Sequence, residues 1–405
     1  MAHVTLTLAR RWAQLALPLR IALIYLAARA VTTALMIGAA AQSTSLSRFG
    51  ADPGLIDFVL GWDAQWYWLV AEDGYPSELP RTESGDVAEN AWAFMPVFAY
   101  AAKFVGMLLG SWGAGAFVLS FVAGYFACLA LHRLLRDRIG RSAATWSVVF
   151  FAFGPLAAMF QVGYAETLFL LPLFLALDLV IRHRYAWLYA VIPLMAFTRP
   201  GVLAFALFLG LHGVLRWSRR RQAALPVRDV VHIVALGALA TACGFAWQAI
   251  AGAVTGDPGA YLATELAWRR NWIAGGVEGF VPFEGWIQAA QFWFVQWGLP
   301  AAAGLVAVFV LVVGVGCVLL FAPGVRRLGP DLRLWSASYV LYLLAVFFPQ
   351  SSTFRLLLPL SPLWGAVAVP RSRVWRGGVL IACVAAQWVW ILHMYALGNM
   401  FWQVP

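Results

Sequence analysis

The sequence predicts an all-α polytopic membrane protein, and its composition is the first reason. Of its 405 residues, 62% are hydrophobic and only 11% are charged, whereas a typical soluble domain carries about 25% charged residues. The second reason is that the apolar residues form long stretches, many of them near the roughly 20 residues that a helix needs to cross a bilayer. These observations exclude a soluble enzyme and a disordered chain.

The net charge of +10 does not indicate a nucleic-acid partner. The basic residues form short clusters between apolar stretches, such as those at 219–221 and 371–376, and do not line one face. Clusters of this kind are typical of cytoplasmic loops. We expect an integral protein of a bacterial plasma membrane whose N-terminus, with Arg10 and Arg11, is cytoplasmic and whose first apolar stretch is a retained span.

Hydropathy gives about eleven transmembrane helices within one domain that covers residues 1–405. Several are short, so tilted or broken helices are expected. We interpret the stretch from Phe94 to Leu109 as re-entrant or interfacial. A full span there would place the four arginines between positions 133 and 141 on the external side of the membrane, against the positive-inside rule. The spans lie at 21–41, 114–132, 142–159, 163–181, 185–198, 200–217, 230–252, 289–320, 334–349, 355–369 and 377–397.

Two long external segments separate these spans. The first, 42–110, carries short helices and the apolar stretch, and the second covers 253–287. Nine of the 18 acidic residues lie between Asp52 and Glu89. Acidic residues contribute little to membrane orientation, so we expect these to serve another purpose on the external side.

The first external loop contains an acid among aromatic residues. Asp63 to Glu72 has helical character, and Gly74-Tyr75-Pro76 is expected to end that helix. Trp62 and Trp66 would share one helix face, and Asp63 and Tyr67 a neighbouring one. Such a carboxylate is suited to act as a general base or to orient a sugar. The alternative is an aromatic belt at the membrane surface with a solvated or capping Asp63.

Two further acids lie inside apolar stretches. Glu166 begins one such stretch at an external helix end, where an acid is costly unless it is paired or hydrated, so it is a functional candidate. Its alternative role is a favourable charge at a helix N-terminus. Asp178 lies near the cytoplasmic end of the same stretch and is predicted to pair with Arg182, four residues later.

Four arginines break the positive-inside pattern: Arg199, Arg269, Arg270 and Arg355. Arginine matches the geometry of phosphate, so one interpretation is an external phosphate site. The other is that each arginine forms an ion pair with an external acid.

Histidine and cysteine give no catalytic pattern. Only His393 approaches the external side, so external proton transfer would fall to a carboxylate. The four cysteines stand alone in apolar stretches, and no Ser-His-Asp, phosphate-loop or metal motif is present. No metal site is therefore assigned.

Several motifs, taken together and in order, resemble the PIG-V family of mannosyltransferases, which are polytopic GT-C glycosyltransferases acting on glycosylphosphatidylinositol precursors. The family's second proline after its Phe-Phe-Pro stretch is absent here, where Phe98-Ala99-Tyr100 stands. The matching motifs are Trp62-Asp63-x-x-Trp66-Tyr67 with Gly74-Tyr75-Pro76, Phe94-Met95-Pro96-Val97, Tyr164-Ala165-Glu166-Thr167-Leu168-Phe169, Thr198-Arg199-Pro200, Gly256-Asp257-Pro258 with Trp268-Arg269, and Arg355 with Pro359-Leu360-Ser361-Pro362.

The resemblance implies a GT-C-like bundle that transfers a sugar from a polyprenyl-phosphate donor to a lipid or glycolipid acceptor at the external membrane face. It implies mannose as the sugar, inversion at the anomeric carbon and Asp63 as the general base. Arg355, Arg199, Arg269 and Arg270 would hold the donor phosphate. Trp62, Trp66, Tyr67 and Glu166 would contact sugar or acceptor. No obligatory cofactor is expected; a divalent metal shared by Asp63 and Glu166 is the alternative.

Three other functions remain open at the level of sequence. A lipid-linked-sugar transporter or flippase would place ionisable residues near the bilayer midplane and show paired repeats. A non-catalytic assembly subunit would not need Asp63. A GT-C enzyme could also use another sugar, such as arabinose or glucose.

Overall fold

The computed structural model describes residues 14–273 and 279–400, and within them the chain is almost entirely helical. The one extended pairing in these residues is an isolated antiparallel bridge between Arg81 and Val87. The α-helices are α1 Leu17–Ala40, α2 Leu55–Val59, α3 Asp63–Asp73, α4 Pro96–Leu109, α5 Trp112–Ala152, α6 Glu166–Ile181, α7 Leu188–Ala196, α8 Val202–Ser218, α9 Val227–Thr255, α10 Ala260–Arg270, α11 Glu284–Gln296, α12 Ala301–Phe321, α13 Pro323–Arg326, α14 Pro330–Val346, α15 Thr353–Leu356, α16 Trp364–Ala368 and α17 Arg373–Ile391.

Five of the described helical segments are long and apolar enough to cross a bilayer: α1, α5, α9, α12 and Arg373–Ala396. The last of these consists of α17 and a following π-helical turn. The prediction of an all-α integral membrane protein is confirmed. Arg10 and Arg11, on which the predicted orientation partly depends, lie outside the described residues.

Helix α5 contains two of the predicted spans. Its helical backbone is interrupted at Gly140, which has a φ of 81°, a value that glycine adopts readily. The first arm runs antiparallel to α1, since Tyr25 donates to Phe121 O and Tyr125 donates to Pro18 O. The second arm returns beside α1. The boundary predicted between 114–132 and 142–159 is therefore correct, although the second helix ends at Ala152.

The predicted single span at 289–320 is wrong. The chain forms α11 and α12 as a hairpin, with Gly298 at a φ of 74° and Pro300 at the N-cap of α12. Gly304 lies directly against the Ala290 backbone across this hairpin. Hydropathy did not detect the turn because its flanking residues are apolar.

The predicted helix at 355–369 is also interrupted. The structure has α15, a 3-10 segment Leu358–Leu363 and α16 in its place. Pro359 and Pro362 remove backbone donors and fix φ, which explains the break. Arg355 is thereby placed on a short helix beside an irregular backbone.

The ambiguous stretch Phe94 to Leu109 forms α4, which packs along the first arm of α5 after a turn at Gly110. Its 14 residues extend about 21 Å at 1.5 Å per residue, less than the roughly 30 Å of a hydrocarbon core. The helix is too short for a full perpendicular span, and its re-entrant or interfacial position stays a prediction.

The two external loops are joined by hydrogen bonds. Asn90 donates to Thr264 Oγ1 at 2.9 Å, and Asn271 donates to Glu89 at 2.5 Å. Trp247, on α9, donates to Trp92 O at 2.9 Å and so fixes the first loop to that helix. Helix α10 is therefore fixed against the segment that follows α3. Together the loops form a layer over one end of the bundle.

A non-helical segment between α5 and α6 is held by buried polar side chains. Arg29, 3% exposed, donates to the carbonyl oxygens of Ala152 and Ala157 and to Gln161. Gln387 donates to Gly154 O at 2.9 Å. Backbone without helical hydrogen bonds needs such partners within a membrane protein, so this network fixes the approach to Tyr164 and Glu166.

The packing of α4 on α5 depends on Gly115. A Cβ there would overlap Ala102 O and the Gly106 backbone. We expect Gly115→Ala to lower the free energy of unfolding by about 2 kcal/mol through overpacking, measured by thermal unfolding in detergent. The matched control is Gly237→Ala on α9, where no atom lies within 4 Å of the added carbon. Equal melting temperatures for the two variants would contradict this packing.

Candidate functional site

Asp63 is the first residue of α3, which ends at Gly74 with a φ of 78°, as the sequence predicts. The preceding Trp62 has a φ of 55°, which is unusual for a bulky residue. Its indole donates to Met394 O at 2.9 Å, and the Arg48 guanidinium lies 4.2 Å from its ring. These contacts fix the start of α3 to the C-terminal segment.

The prediction that Trp62 and Trp66 share a helix face is wrong, because Trp62 lies outside the helix. Trp66 stacks on Phe94 at 5.6 Å and meets Trp268 edge-on at 5.8 Å. Tyr67 packs edge-on against Phe94 at 5.2 Å and against Phe98 at 5.1 Å. The aromatic residues thus form a wall beside the acids.

Asp63 forms an ion pair with Arg355 across 292 residues of sequence. The Asp63 side chain is 16% exposed and that of Arg355 is 10% exposed. Tyr164 lies against both residues: its hydroxyl accepts from the Asp63 N–H at 3.3 Å, and its ring is 5.1 Å from the Arg355 guanidinium carbon. The sequence nominated both residues, and the structure brings them together.

Glu166 connects this pair to Arg199. It is the first residue of α6 and is 2% exposed. Its Oε1 lies 3.3 Å from Arg355 Nη1 and 3.3 Å from Arg199 Nη2. Asp63, Arg355, Glu166 and Arg199 therefore form a group of alternating charges, here called the charge cluster.

The electrostatic environment of Asp63 suits a proton acceptor. Burial raises the pKa of its carboxyl above the usual range, and the Glu166 charge adds to the rise, whereas Arg355 and Arg199 oppose it. A general base works best when its pKa is near the working pH. The cluster thus holds a carboxylate that is more basic than a solvated one and only partly covered.

Arg269 and Arg270 do not join the charge cluster. Arg269 lies 3.7 Å from Glu284, as in the ion-pair interpretation, and Arg270 donates to Val87 O. Arg270 therefore connects the two external loops. Their predicted contact with a phosphate stays a prediction.

Asp178 is paired as predicted. Its carboxylate lies 2.7 Å from Arg182 Nε and also 2.8 Å from Arg133 Nε. Both arginines are on the side of the bundle opposite the external loops, so Asp178 has no part in the site.

Sequence reasoning missed Glu265, on α10. Burial raises the pKa of its carboxyl to about 7, and the charge of Asp63 adds to the rise, while Tyr261 donates a hydrogen bond to it. Burial also raises the pKa of Glu89, with Asp63 again contributing. Their position in the external loops, away from any apolar stretch, gave no indication of burial; only the folding of the loops over Asp63 reveals it.

A large apolar cavity of about 1160 Å³ borders the short helix that carries Arg355. Residues on both sides of Arg355 line it, with Thr353 and Phe354 before and Leu357 and Leu358 after. Trp390 and Met394 form another part of its wall, and Met394 O is the acceptor of the Trp62 indole. The cavity therefore borders the elements that position Arg355 and Asp63.

Within 14–273 and 279–400, no group of three or more His, Cys, Asp or Glu side chains is arranged to hold a metal ion. Asp63 and Glu166 instead face arginine.

No protein-family model and no curated protein sequence matches the chain. Solved structures with a related arrangement include ArnT from Cupriavidus metallidurans bound to undecaprenyl phosphate, at 13% identity and a TM-score of 0.48, covering 88% of this chain and 62% of that one. An Archaeoglobus fulgidus oligosaccharyltransferase in complex with zinc and sulfate is 13% identical with a TM-score of 0.45. The match covers 92% of this chain and 53% of that one. Archaeal AglB from Archaeoglobus fulgidus, in complex with an inhibitory peptide and a dolichol-phosphate, is 12% identical with a TM-score of 0.43. The match covers 92% of this chain and 56% of AglB. The chain spans less than two thirds of these proteins, and likenesses this distant assign it no activity.

The charge cluster should show strong energetic coupling between Glu166 and Arg199. We expect Glu166→Gln to destabilise the protein by about 3 kcal/mol, because it leaves two buried arginines without their shared acid. Adding Arg199→Gln should restore part of the loss, which a double-mutant cycle from thermal unfolding measures. Asp137→Asn, at an exposed ion pair, is the control and should change little. Strict additivity of the two cluster substitutions would refute the pairing.

Proposed function

We propose that the chain is a membrane glycosyltransferase of the GT-C kind, which moves a sugar from a polyprenyl-phosphate donor to a lipid or glycolipid acceptor at the external membrane face. One observation carries the proposal: the Asp63–Arg355 ion pair lies beside a large apolar cavity. A base, an anion-binding group and a site for a lipid chain are therefore adjacent. These are the three elements that such a transfer requires.

Asp63 would be the general base. The acceptor hydroxyl loses its proton to the Asp63 carboxylate as its oxygen attacks the anomeric carbon, and the polyprenyl phosphate leaves with the electron pair of the broken bond. A single displacement inverts the anomeric centre and needs no protein nucleophile. Positioned general bases contribute about 10²- to 10⁴-fold to rate, and the partial exposure of Asp63 leaves one side of it open to an acceptor.

Arg355 and Arg199 would stabilise the phosphate. Guanidinium groups bind phosphate through paired, charge-assisted hydrogen bonds, and charge that develops on the leaving group is best stabilised by fixed donors in a site that excludes water. Both arginines are nearly buried and are held by Glu166. The donor phosphate would compete with Asp63 for Arg355, so binding of the donor would free the base.

The apolar cavity would take the first isoprene units of the donor. Aromatic side chains Trp293, Trp297, Phe354 and Trp390 contribute to its wall, and its volume of about 1160 Å³ exceeds the roughly 300–1,000 Å³ of ordinary small-molecule sites. Thr353 and Phe354, next to Arg355 in sequence, line it as well. A lipid chain there would bring its phosphate towards Arg355.

We propose mannose as the sugar because of the motif resemblance. The acceptor would be a hydroxyl group of a glycolipid or another lipid. Trp66, Phe94 and Trp268 form an aromatic surface near Asp63. Aromatic faces suit the apolar faces of sugar rings, while Glu89 and Glu265 supply nearby hydrogen-bond acceptors. Site residues, sugar and membrane face are all part of this proposal.

The base assignment is tested with Asp63→Asn. We expect transfer from a labelled polyprenyl-phosphate-mannose in membranes to fall about a thousandfold, while the protein still purifies as a folded monodisperse species. Asp73→Asn, at the exposed C-terminal end of the same helix, is the matched control and should keep normal turnover. Near-normal transfer by Asp63→Asn would eliminate Asp63 as the base.

Arg355 is tested through both donor use and pH dependence. Arg355→Gln should raise KM for the donor about tenfold by loss of a charge-assisted contact. Because the Arg355 charge lowers the pKa of Asp63, its loss should raise that pKa. The base would then be protonated at a higher pH, so the acidic limb of the kcat profile should move upward.

Arg355→Lys is the companion variant. It retains the positive charge, so the acidic limb should return most of the way to its wild-type position even if donor affinity stays low, since lysine lacks the paired donors. An unchanged donor KM together with an unchanged pH profile in Arg355→Gln would show that Arg355 neither binds the phosphate nor tunes Asp63.

A further inference from the structure

A polar cavity lies at the other end of the helix bundle. Its volume is about 520 Å³, and its wall comes from the start of α1 and from both arms of α5 around the break at Gly140. We call it the basic cavity. Its lining residues are Leu17, Arg20, His132, Arg136, Arg141, Ser142, Thr145 and Trp146.

The basic cavity is separate from the charge cluster. Arg20 lies near the first residue of α1, whereas Met36 packs in the same core as Trp62 and Tyr67. Sixteen helical residues at 1.5 Å each separate Arg20 from Met36 by about 24 Å. Nothing in the proposed transfer reaction uses this end of the molecule.

The charge of the basic cavity is not balanced. Its wall has three arginines and, in the described part of the chain, neither an aspartate nor a glutamate. Arg136 has an ion pair with the exposed side chain of Asp137 at 3.2 Å. A fourth guanidinium is close by, since Arg376 donates to Ser142 Oγ at 3.4 Å and its guanidinium carbon lies 5.4 Å from the Trp146 ring.

Three of the other arginines at this end of the bundle are matched by acids, whereas Arg184 and Arg228 are exposed to solvent. Arg133 and Arg182 pair with Asp178, and Arg216 pairs with Asp229 at 3.2 Å. Arginines that only mark a cytoplasmic loop can stay hydrated at its surface. They do not need to line a common cavity. The unpaired positive charges that line the basic cavity therefore favour binding of an anion.

Two polar atoms at this site are buried without a partner in the described structure. His132 is 2% exposed, and its Nδ1 has no hydrogen-bond partner. The Nε of Arg20 is likewise unpaired. Unpaired buried polar atoms are costly and rare. An acceptor in the cavity would satisfy the Arg20 Nε–H group, and it would also satisfy His132 in the tautomer that carries its proton on Nδ1.

We propose that the basic cavity binds a phosphate group, supplied either by the headgroup of an anionic glycerophospholipid or by a soluble phosphate. Arg20 and Arg141 provide the principal contacts, with His132 and Ser142 completing the polar wall. Arginine offers phosphate parallel N–H donors. Basic pockets between membrane helices on one side of a bilayer bind phosphate headgroups in this way, and Leu17 and Trp146 give the same cavity an apolar border.

The test uses the full-length protein and two phosphate sources. In a detergent without phosphate groups, inorganic phosphate is titrated against chloride at equal ionic strength, and thermal unfolding is followed. In parallel, native mass spectrometry counts retained lipids after incubation with dioleoylphosphatidylglycerol or dioleoylphosphatidylcholine. The variant is Arg20→Gln/Arg141→Gln. The matched control is Arg184→Gln/Arg228→Gln, which removes two exposed charges from the same end of the bundle but outside the cavity.

We expect the wild-type protein to bind phosphate saturably. The affinity for phosphate should fall about tenfold for each arginine removed from the cavity, and it should not change in the Arg184→Gln/Arg228→Gln control. Preferential retention of phosphatidylglycerol that the variant loses identifies the lipid as the source. Stabilisation by inorganic phosphate alone, lost in the variant, identifies a soluble phosphate. Absence of binding in both arms, binding that the variant retains, or an equal loss in the control would each overturn the proposal.

Discussion

The buried ion pair between Asp63 and Arg355, extended by Glu166 to Arg199, is the interaction on which the arrangement of the site depends. The four residues come from an external loop helix, a short helix after α14, the start of α6 and the junction between α7 and α8. An isolated buried charge costs several kcal/mol, whereas a paired one is tolerated. Each of these charges can therefore be buried only together with its partners, and this requirement fixes the loop that carries Asp63 to the bundle.

Interrupted helices make this convergence possible. Helix breaks precede Glu166 and follow Arg199 and Arg355. The prolines after Arg199 and Arg355 remove backbone donors there. Arg29 and Gln387 hold the carbonyl oxygens of the segment before Tyr164. Irregular backbone at membrane depth is stable only where protein groups replace the missing hydrogen bonds. The regular spans thus form a frame, and the irregular ends between them carry the charged side chains.

Composition and hydropathy were sufficient to predict the membrane class, helix α3 and the broken form of α5, because each follows from local sequence. Asp63 was singled out by its aromatic neighbours, Glu166 by its place at the start of an apolar stretch, and Arg199 and Arg355 by their departure from the positive-inside pattern. Their pairing could not be predicted, because it joins residues 292 positions apart. Arg269 and Arg270 carried the same sequence signature but contact Glu284 and Val87. The hairpin at Gly298 was missed because a turn between two apolar helices leaves hydropathy unchanged.

The degree of burial separates the roles of the two acids in the charge cluster. The cluster has two positive and two negative charges, so a donor phosphate that takes the place of one carboxylate on Arg355 keeps the charges paired. Asp63 is 16% exposed, whereas Glu166 is 2% exposed and lies between two arginines. Displacing Glu166 would leave a deeply buried charge unpaired, while Asp63 can turn towards an acceptor hydroxyl. Under the proposed function, Glu166 keeps both arginines in position, and Asp63 is the acid that exchanges with the phosphate and then accepts the proton.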